Sequence, residues 1–74
     1  MKIDNLNIVT REIRGARPGQ KRFSARVQAL YVVDEAGRRK VTHPFGEAWG
    51  RTRNEAIERM EHLVGAWLAE QVGG

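Results

Sequence analysis

Apolar and polar positions along the chain fall into three alternating stretches followed by one helical repeat. From Leu6 to Arg14 (LNIVTREIR) β-branched residues recur in broken alternation, which predicts a first strand. From Phe23 to Val33 the alternation is clearer: Phe23, Ala25, Val27, Ala29, Tyr31 and Val33 share one face, and Ser24, Arg26 and Gln28 the other. Leu30 and Val32 make the far end apolar on both faces, so that end is expected to be covered twice. Val41 to Trp49 reads as a third strand. Pro44 interrupts it and cannot donate a ladder hydrogen bond, which places the strand at an edge or puts a bulge at Pro44. Gly15 to Gln20 is a loop. Asp34 to Arg39 is a hairpin turn in which Gly37 supplies the positive φ such turns need.

The period then changes. Ala56, Met60, Leu63, Val64 and Trp67 recur at helical spacing, flanked by Ile57 and Leu68, and predict a helix over 53–72 with one apolar stripe. Thr52 followed by Glu55 forms a capping box at its start, and Gly73 and Gly74 stop it. The order β-β-β-α predicts an α+β fold: a three-stranded antiparallel meander with one C-terminal helix packed on one face, in a single domain over 1–74.

A second helical row, Gly65, Leu68, Ala69 and Val72, is displaced from the main stripe. Glycine inside a helix costs roughly 1 kcal/mol relative to alanine, so an outward Gly65 suggests close approach of another backbone, from a second copy of the chain or a protein partner. A glycine tolerated near a fraying terminus is the competing explanation. One helix covers only part of a sheet, and a homodimer through this row or the uncovered sheet is expected.

Charge changes the picture more than composition does. The net charge of +4 hides an asymmetry: residues 1–53 hold twelve Lys/Arg against five Asp/Glu, whereas residues 54–74 hold Arg59 against four glutamates. The cations cluster at turns. Arg14, Arg17, Lys21 and Arg22 surround the first loop, with Arg26 beyond it; Arg38, Arg39 and Lys40 follow the second; Arg51 and Arg53 sit at the helix start. A meander brings the first loop and the helix start to one end of the sheet and the second loop to the other. Such clusters bind phosphates by charge and counterion release, and a helix N-terminus favours anions. Solubility and protection of sheet edges are the competing uses of the same residues.

Other chemistry is sparse. The chain has no cysteine, which excludes disulfides and thiolate-bound zinc and fits a cytoplasmic setting. No stretch has the apolar length of a signal peptide or a membrane span. His43 and His62 lie on different elements and make a poor metal site. Glu47 follows His43 by four residues, but across Pro44 that spacing fixes no acid–base geometry. There is no phosphate-binding glycine motif. The expectation is a non-enzyme without metal, cofactor or small-molecule substrate. Trp67 belongs to the core stripe. Trp49 has two readings: if Gly46, Ala48 and Gly50 face the helix, it points to the open sheet face beside Arg26; if a bulge at Pro44 reverses parity, it is buried. The need of a small core for large side chains favours burial.

Two family resemblances follow from these residues. Pro18 in the first loop, Phe23 opening FSARVQA, then Gly46, Ala48, Gly50, Thr52, Arg53, Asn54 and Ala56 resemble the β-β-β-α part of double-stranded-RNA-binding domains. The first helix of that family and its loop histidine are absent. Of its three basic residues at the helix start only Arg53 remains, with Asn54 and Ile57 at the other two positions. The segment from Gly50 through Thr52, Arg53, Glu55, Ala56, Ile57 and Glu58 to Trp67 and Leu68 resembles HicB-type antitoxins, partner-binding proteins that mask a toxin. It lacks their Leu-Pro-Gly segment and their DNA-binding part. Together the resemblances imply a small, non-catalytic binding module for nucleic acid or a nucleoprotein. The alternative they carry is a protein inhibitor or antitoxin-like accessory; size and charge, with no motif, also suit a phage-type protein that blocks a nucleoprotein machine.

Overall fold

The computed structural model describes every residue except Ala16, Pro18, Gly19, Lys21 and Gly74, together with the side chain of Val72. The elements are β1 (Lys2–Glu12), β2 (Phe23–Asp34), β3 (Gly37–Lys40), β4 (Glu47–Gly50) and α1 (Arg53–Gly73). They form an α+β fold with an open antiparallel sheet. β2 lies at its centre, β1 runs along one side, and β3 and β4 share the other.

The sheet therefore has four strands where the sequence predicts three. The expected third strand splits: β3 pairs with Tyr31–Asp34 and β4 with Phe23–Arg26, and residues 41–46 leave the sheet between them. Pro44 sits at the centre of a tight turn closed by Phe45 N–H to the His43 carbonyl at 3.1 Å. The excursion is not idle. Val41 is buried, its N–H bonding the Leu30 carbonyl at 2.8 Å, and Phe45 packs against the core. The hairpin turn is shorter than expected: Glu35 and Ala36 alone separate β2 from β3, Asp34 Oδ1 accepts the Ala36 N–H at 2.8 Å, and Gly37 supplies φ of 112°. β1 starts at Lys2, four residues before the predicted strand, and stops at Glu12.

One irregularity in β2 decides which side chains reach the core. Asn7 pairs with Ala29 but Ile8 pairs with Val27, so Gln28 is an extra residue, a β-bulge. Parity reverses there. Before it Ala25 and Val27 face the helix; beyond it Leu30 and Val32 do, both fully buried. The doubly covered far end predicted for β2 is thus one covered face after a reversal, with Tyr31 and Val33 half-buried on the other side. A matching extra residue in β1, Asp4, keeps the partner in step.

On α1, Ala56, Met60 and Val64 form the buried row, Ile57 and Leu68 flank it, and Trp67 is half-buried. Leu63, expected in this row, is 44% exposed. It lies roughly 60° around the helix from Met60 at 100° per residue, and the narrow sheet leaves it uncovered. Thr52 Oγ1 accepts the Glu55 N–H at 3.0 Å, giving half of the capping box. The Glu55 carboxylate instead pairs with Arg59 at 2.8 Å.

The molecule is elongated, 47 × 20 × 17 Å, with a radius of gyration of 14.0 Å, against about 11 Å for a compact chain of this length. Much of the sheet's second face and both flanks of the helix are therefore left to solvent or to a partner.

Candidate nucleic-acid interface

The two ends of the sheet carry different sets of cations. At one end the β1–β2 connection meets the β4–α1 junction: the Arg22 N–H bonds the Gly50 carbonyl at 2.9 Å, and the Ile13 N–H bonds the Arg22 carbonyl at 2.6 Å. Arg17 is held locally, its N–H to Gln20 Oε1 at 2.9 Å and its carbonyl to the Gln20 N–H at 3.0 Å. Arg14, Arg17, Arg22, Arg51 and Arg53 are exposed here. Arg22 approaches Glu12 at 3.5 Å, and the Arg53 guanidinium lies 5.7 Å from the Phe23 ring centroid. Among the described residues no carboxylate pairs with Arg14, Arg17, Arg51 or Arg53. Lys21, expected in this group, lies outside the described residues.

Arg38, Arg39 and Lys40 occupy the other end, on β3. Eleven residue steps of β2 separate the ends, roughly 36 Å at about 3.3 Å per residue, so the predicted cations form two groups and not one patch. The far group is also partly neutralised. Arg38 bonds Asp4 at 2.6 Å and covers the Tyr31 ring at 4.1 Å, and Arg39 lies 3.7 Å from Asp34.

Between the ends, the sheet face opposite the helix carries a third set. Cross-strand partners share a face, so Arg11, Ser24 and Trp49 form one row and Val9, Arg26 and Glu47 the next. Asn7 and Gln28 follow, joined by a side-chain hydrogen bond of 2.9 Å. Val9, Arg11, Ser24, Arg26, Gln28 and Glu47 line a hollow of about 320 Å³. Trp49 thus stands on the open face, half-buried, and the burial favoured from sequence is corrected. The reason is Gly50: a Cβ there would lie 2.6 Å from the Ala56 nitrogen, so Gly50 and Ala48 face the helix and Trp49 must face away.

Sequence reasoning missed Arg11 as a partner of Arg26. Its parity with Val9 in β1 was the available signal. Of the predicted second helical row, Gly65 is exposed with open space where a Cβ would stand, Ala69 is exposed and Leu68 half-buried; Val72 lies outside the described side chains. His43 packs edge-on against Phe45 at 4.7 Å and lies tilted against Trp67 at 5.8 Å. Among the described residues no cluster of three metal-ligating side chains occurs, and no helix is long and apolar enough to cross a membrane. Charge largely follows the layers: Glu58, Glu61 and Glu70 are exposed on the helix, which carries Arg53 at its start and Arg59 paired with Glu55, and the other arginines lie on the sheet and its connections. The chain matches no protein-family model, no curated protein and no solved structure, so its geometry and chemistry carry the functional argument.

Proposed function

We propose that this protein is a small, non-catalytic module that binds nucleic acid through the basic end of its sheet, in the cytoplasm. The observation that carries the reading is the Arg22–Gly50 hydrogen bond, which joins the segment of Arg14 and Arg22 to that of Arg51 and Arg53, with Arg17 in the same connection and Glu12, among the described residues, the one carboxylate paired to any of them. Arginines on two adjoining segments present donors to an anionic backbone together. The acidic outer helix supplies a repulsive opposite side, which orients the approach of a polyanion. The test is binding of a labelled oligonucleotide at rising salt. Log K should fall steeply with log salt, and replacing Arg51 and Arg53 by alanine should reduce the slope by about 1 each. A flat salt dependence, or full affinity in the double variant, refutes the reading.

A second reading is favoured by apolar surface on the helix. Leu63 is 44% exposed on one flank, and Leu68 with Gly65 and Ala69 occupies the other. This surface suits a homodimer or a protein inhibitor or antitoxin-like role. Association that survives moderate salt and is lost in Leu68→Ser would support it over nucleic-acid binding.

A further inference from the structure

Among the described residues, Trp49 on the open sheet face has no aromatic or cationic group against its ring. Tyr31 on the same face is covered by Arg38, Phe23 is approached by Arg53, and His43, Phe45 and Trp67 pack on one another. Trp49 takes part in none of these contacts. Its backbone, in contrast, is firmly held: β4 pairs it with Ser24, Gly50 behind it lies against the first turn of α1, and its carbonyl accepts Arg59 Nη1 at 2.6 Å. An indole carried on a firmly held strand presents a ring face at a fixed place on the sheet, which suits base stacking.

Cations surround this ring. Arg11 shares its row and Arg26 lies in the next. Arg22 and Arg51 adjoin Phe23 and Gly50, the last pair of β2 and β4, and the Arg22 N–H bonds the Gly50 carbonyl at 2.9 Å. Along the rest of the face Lys2, Arg38 and Lys40 continue the positive charge, against Glu47 and Asp4. Among the described residues Arg11 and Arg26 have no ion-pair partner.

We infer that this face binds single-stranded nucleic acid, with one base stacked on Trp49 and the flanking phosphates held by Arg11 and Arg26. A duplex offers no unstacked base to Trp49, whereas a single strand presents a base face and a phosphate line together. The sequence tolerance of stacking matches the surroundings of Trp49, where Asn7 and Gln28 bond each other and Ser24 is buried. This inference rests on the nucleic-acid reading and adds to it a single-strand mode on the sheet face.

The experiment uses the full chain with Trp67→Phe, which leaves Trp49 as the sole tryptophan and needs no change at the site. Titration with an oligo-uridine of about twelve nucleotides, within the size range of single-strand sites, should quench Trp49 emission. A duplex of equal length should not. In anisotropy measurements, Trp49→Ala should weaken the single strand about ten-fold or more and leave the duplex unchanged; Arg51→Ala with Arg53→Ala should weaken both. Unquenched Trp49 at saturation overturns the inference, as does equal loss of both ligands in Trp49→Ala, or a self-associated protein whose dimer Trp49→Ala dissolves. If the unaltered protein binds neither ligand, the proposed function falls as well; if it binds both and Trp49→Ala changes nothing, only the single-strand inference falls.

Discussion

Replacing Gly50 by alanine tests the packing on which both the fold and the interface depend. An added Cβ would lie 2.6 Å from the Ala56 nitrogen and 3.0 Å from the Glu55 carbonyl carbon and Cβ. Ordinary contacts between such atoms are about 3.5–4.0 Å, so α1 would have to move by roughly 1 Å. These neighbours are backbone, and Ala56 and Met60 behind them are fully buried, so no flexible side-chain end can yield. Overpacking of this kind costs about 1–3 kcal/mol. Relief of glycine's conformational entropy returns about 0.5–1 kcal/mol, leaving a net loss of up to about 2.5 kcal/mol, in the upper part of that range because the contact is with backbone. Total stability for 74 residues is about 4–11 kcal/mol, so the loss is readable as a fall in Tm of up to about 20 °C. Urea denaturation followed by far-ultraviolet circular dichroism measures it, with Gly65→Ala as the matched control. Space beside Gly65 is open, and that change should gain up to about 1 kcal/mol. Gly50→Ala as stable as the parent would refute the close approach and, with it, the outward placement of Trp49.

Three further outcomes follow from the same structure. Met60→Ala empties a fully buried position and should cost about 2–5 kcal/mol, a large share of the total stability, read as a marked fall in the urea midpoint. Thr52→Ala removes the acceptor for the Glu55 N–H and should cost about 1 kcal/mol, whereas Glu55→Gln, whose carboxylate serves an exposed pair with Arg59, should cost no more than about 0.5 kcal/mol; equal losses would restore the full capping box. Sedimentation at micromolar concentration should reveal a dimer that Gly65→Ala weakens while the fold becomes more stable. A monomer, or a dimer indifferent to that change, removes the helix-row contact.

The helix and the central strand were legible because each carries a long period: Ala56, Met60 and Val64 repeat every four residues, and Phe23 to Val27 alternate without a break. What the sequence concealed are the places where the period slips by one. Gln28 sits between two apolar runs of opposite parity, and apolar residues at both parities look like a doubly buried strand. Only the pairing with Asn7 and Ile8, some twenty residues away, reveals a bulge. Asp4 conceals the start of β1 in the same way. Trp49 shows how one local rule can mislead. The demand of a small core for large side chains argued for burial, but the alternating small residues Ala48 and Gly50 had already specified the helix-facing side, and a steric constraint on backbone overrides a preference for apolar bulk. Arg11 escaped notice because loops, and not strand faces, are where cations cluster in sequence.

The bulge also sets how the proposed interface is backed. Before Gln28, Ala25, Ala48 and Gly50 are small, and a Cβ on Gly50 would lie 2.6 Å from the Ala56 nitrogen, with Phe23 and Val27 packed against the core beside them. Beyond Gln28 the fully buried residues are large: Leu30 and Val32 join Met60 and Val64 in the core, with Val41, Phe45 and Trp67 filling in. The close approach at Gly50 marks a narrow half, and the larger side chains beyond the bulge make a wide one. Without the reversal, Tyr31 and Val33 would turn inward and Leu30 and Val32 outward, and the wide half would lose two of its fully buried side chains. The narrow half, where few atoms can shift, is the half that carries Arg22, Arg51, Arg53 and Trp49. A binding site gains affinity when its groups are already fixed before the ligand arrives, and the close approach of Gly50 to α1 stands directly behind the surface proposed to grip the nucleic acid.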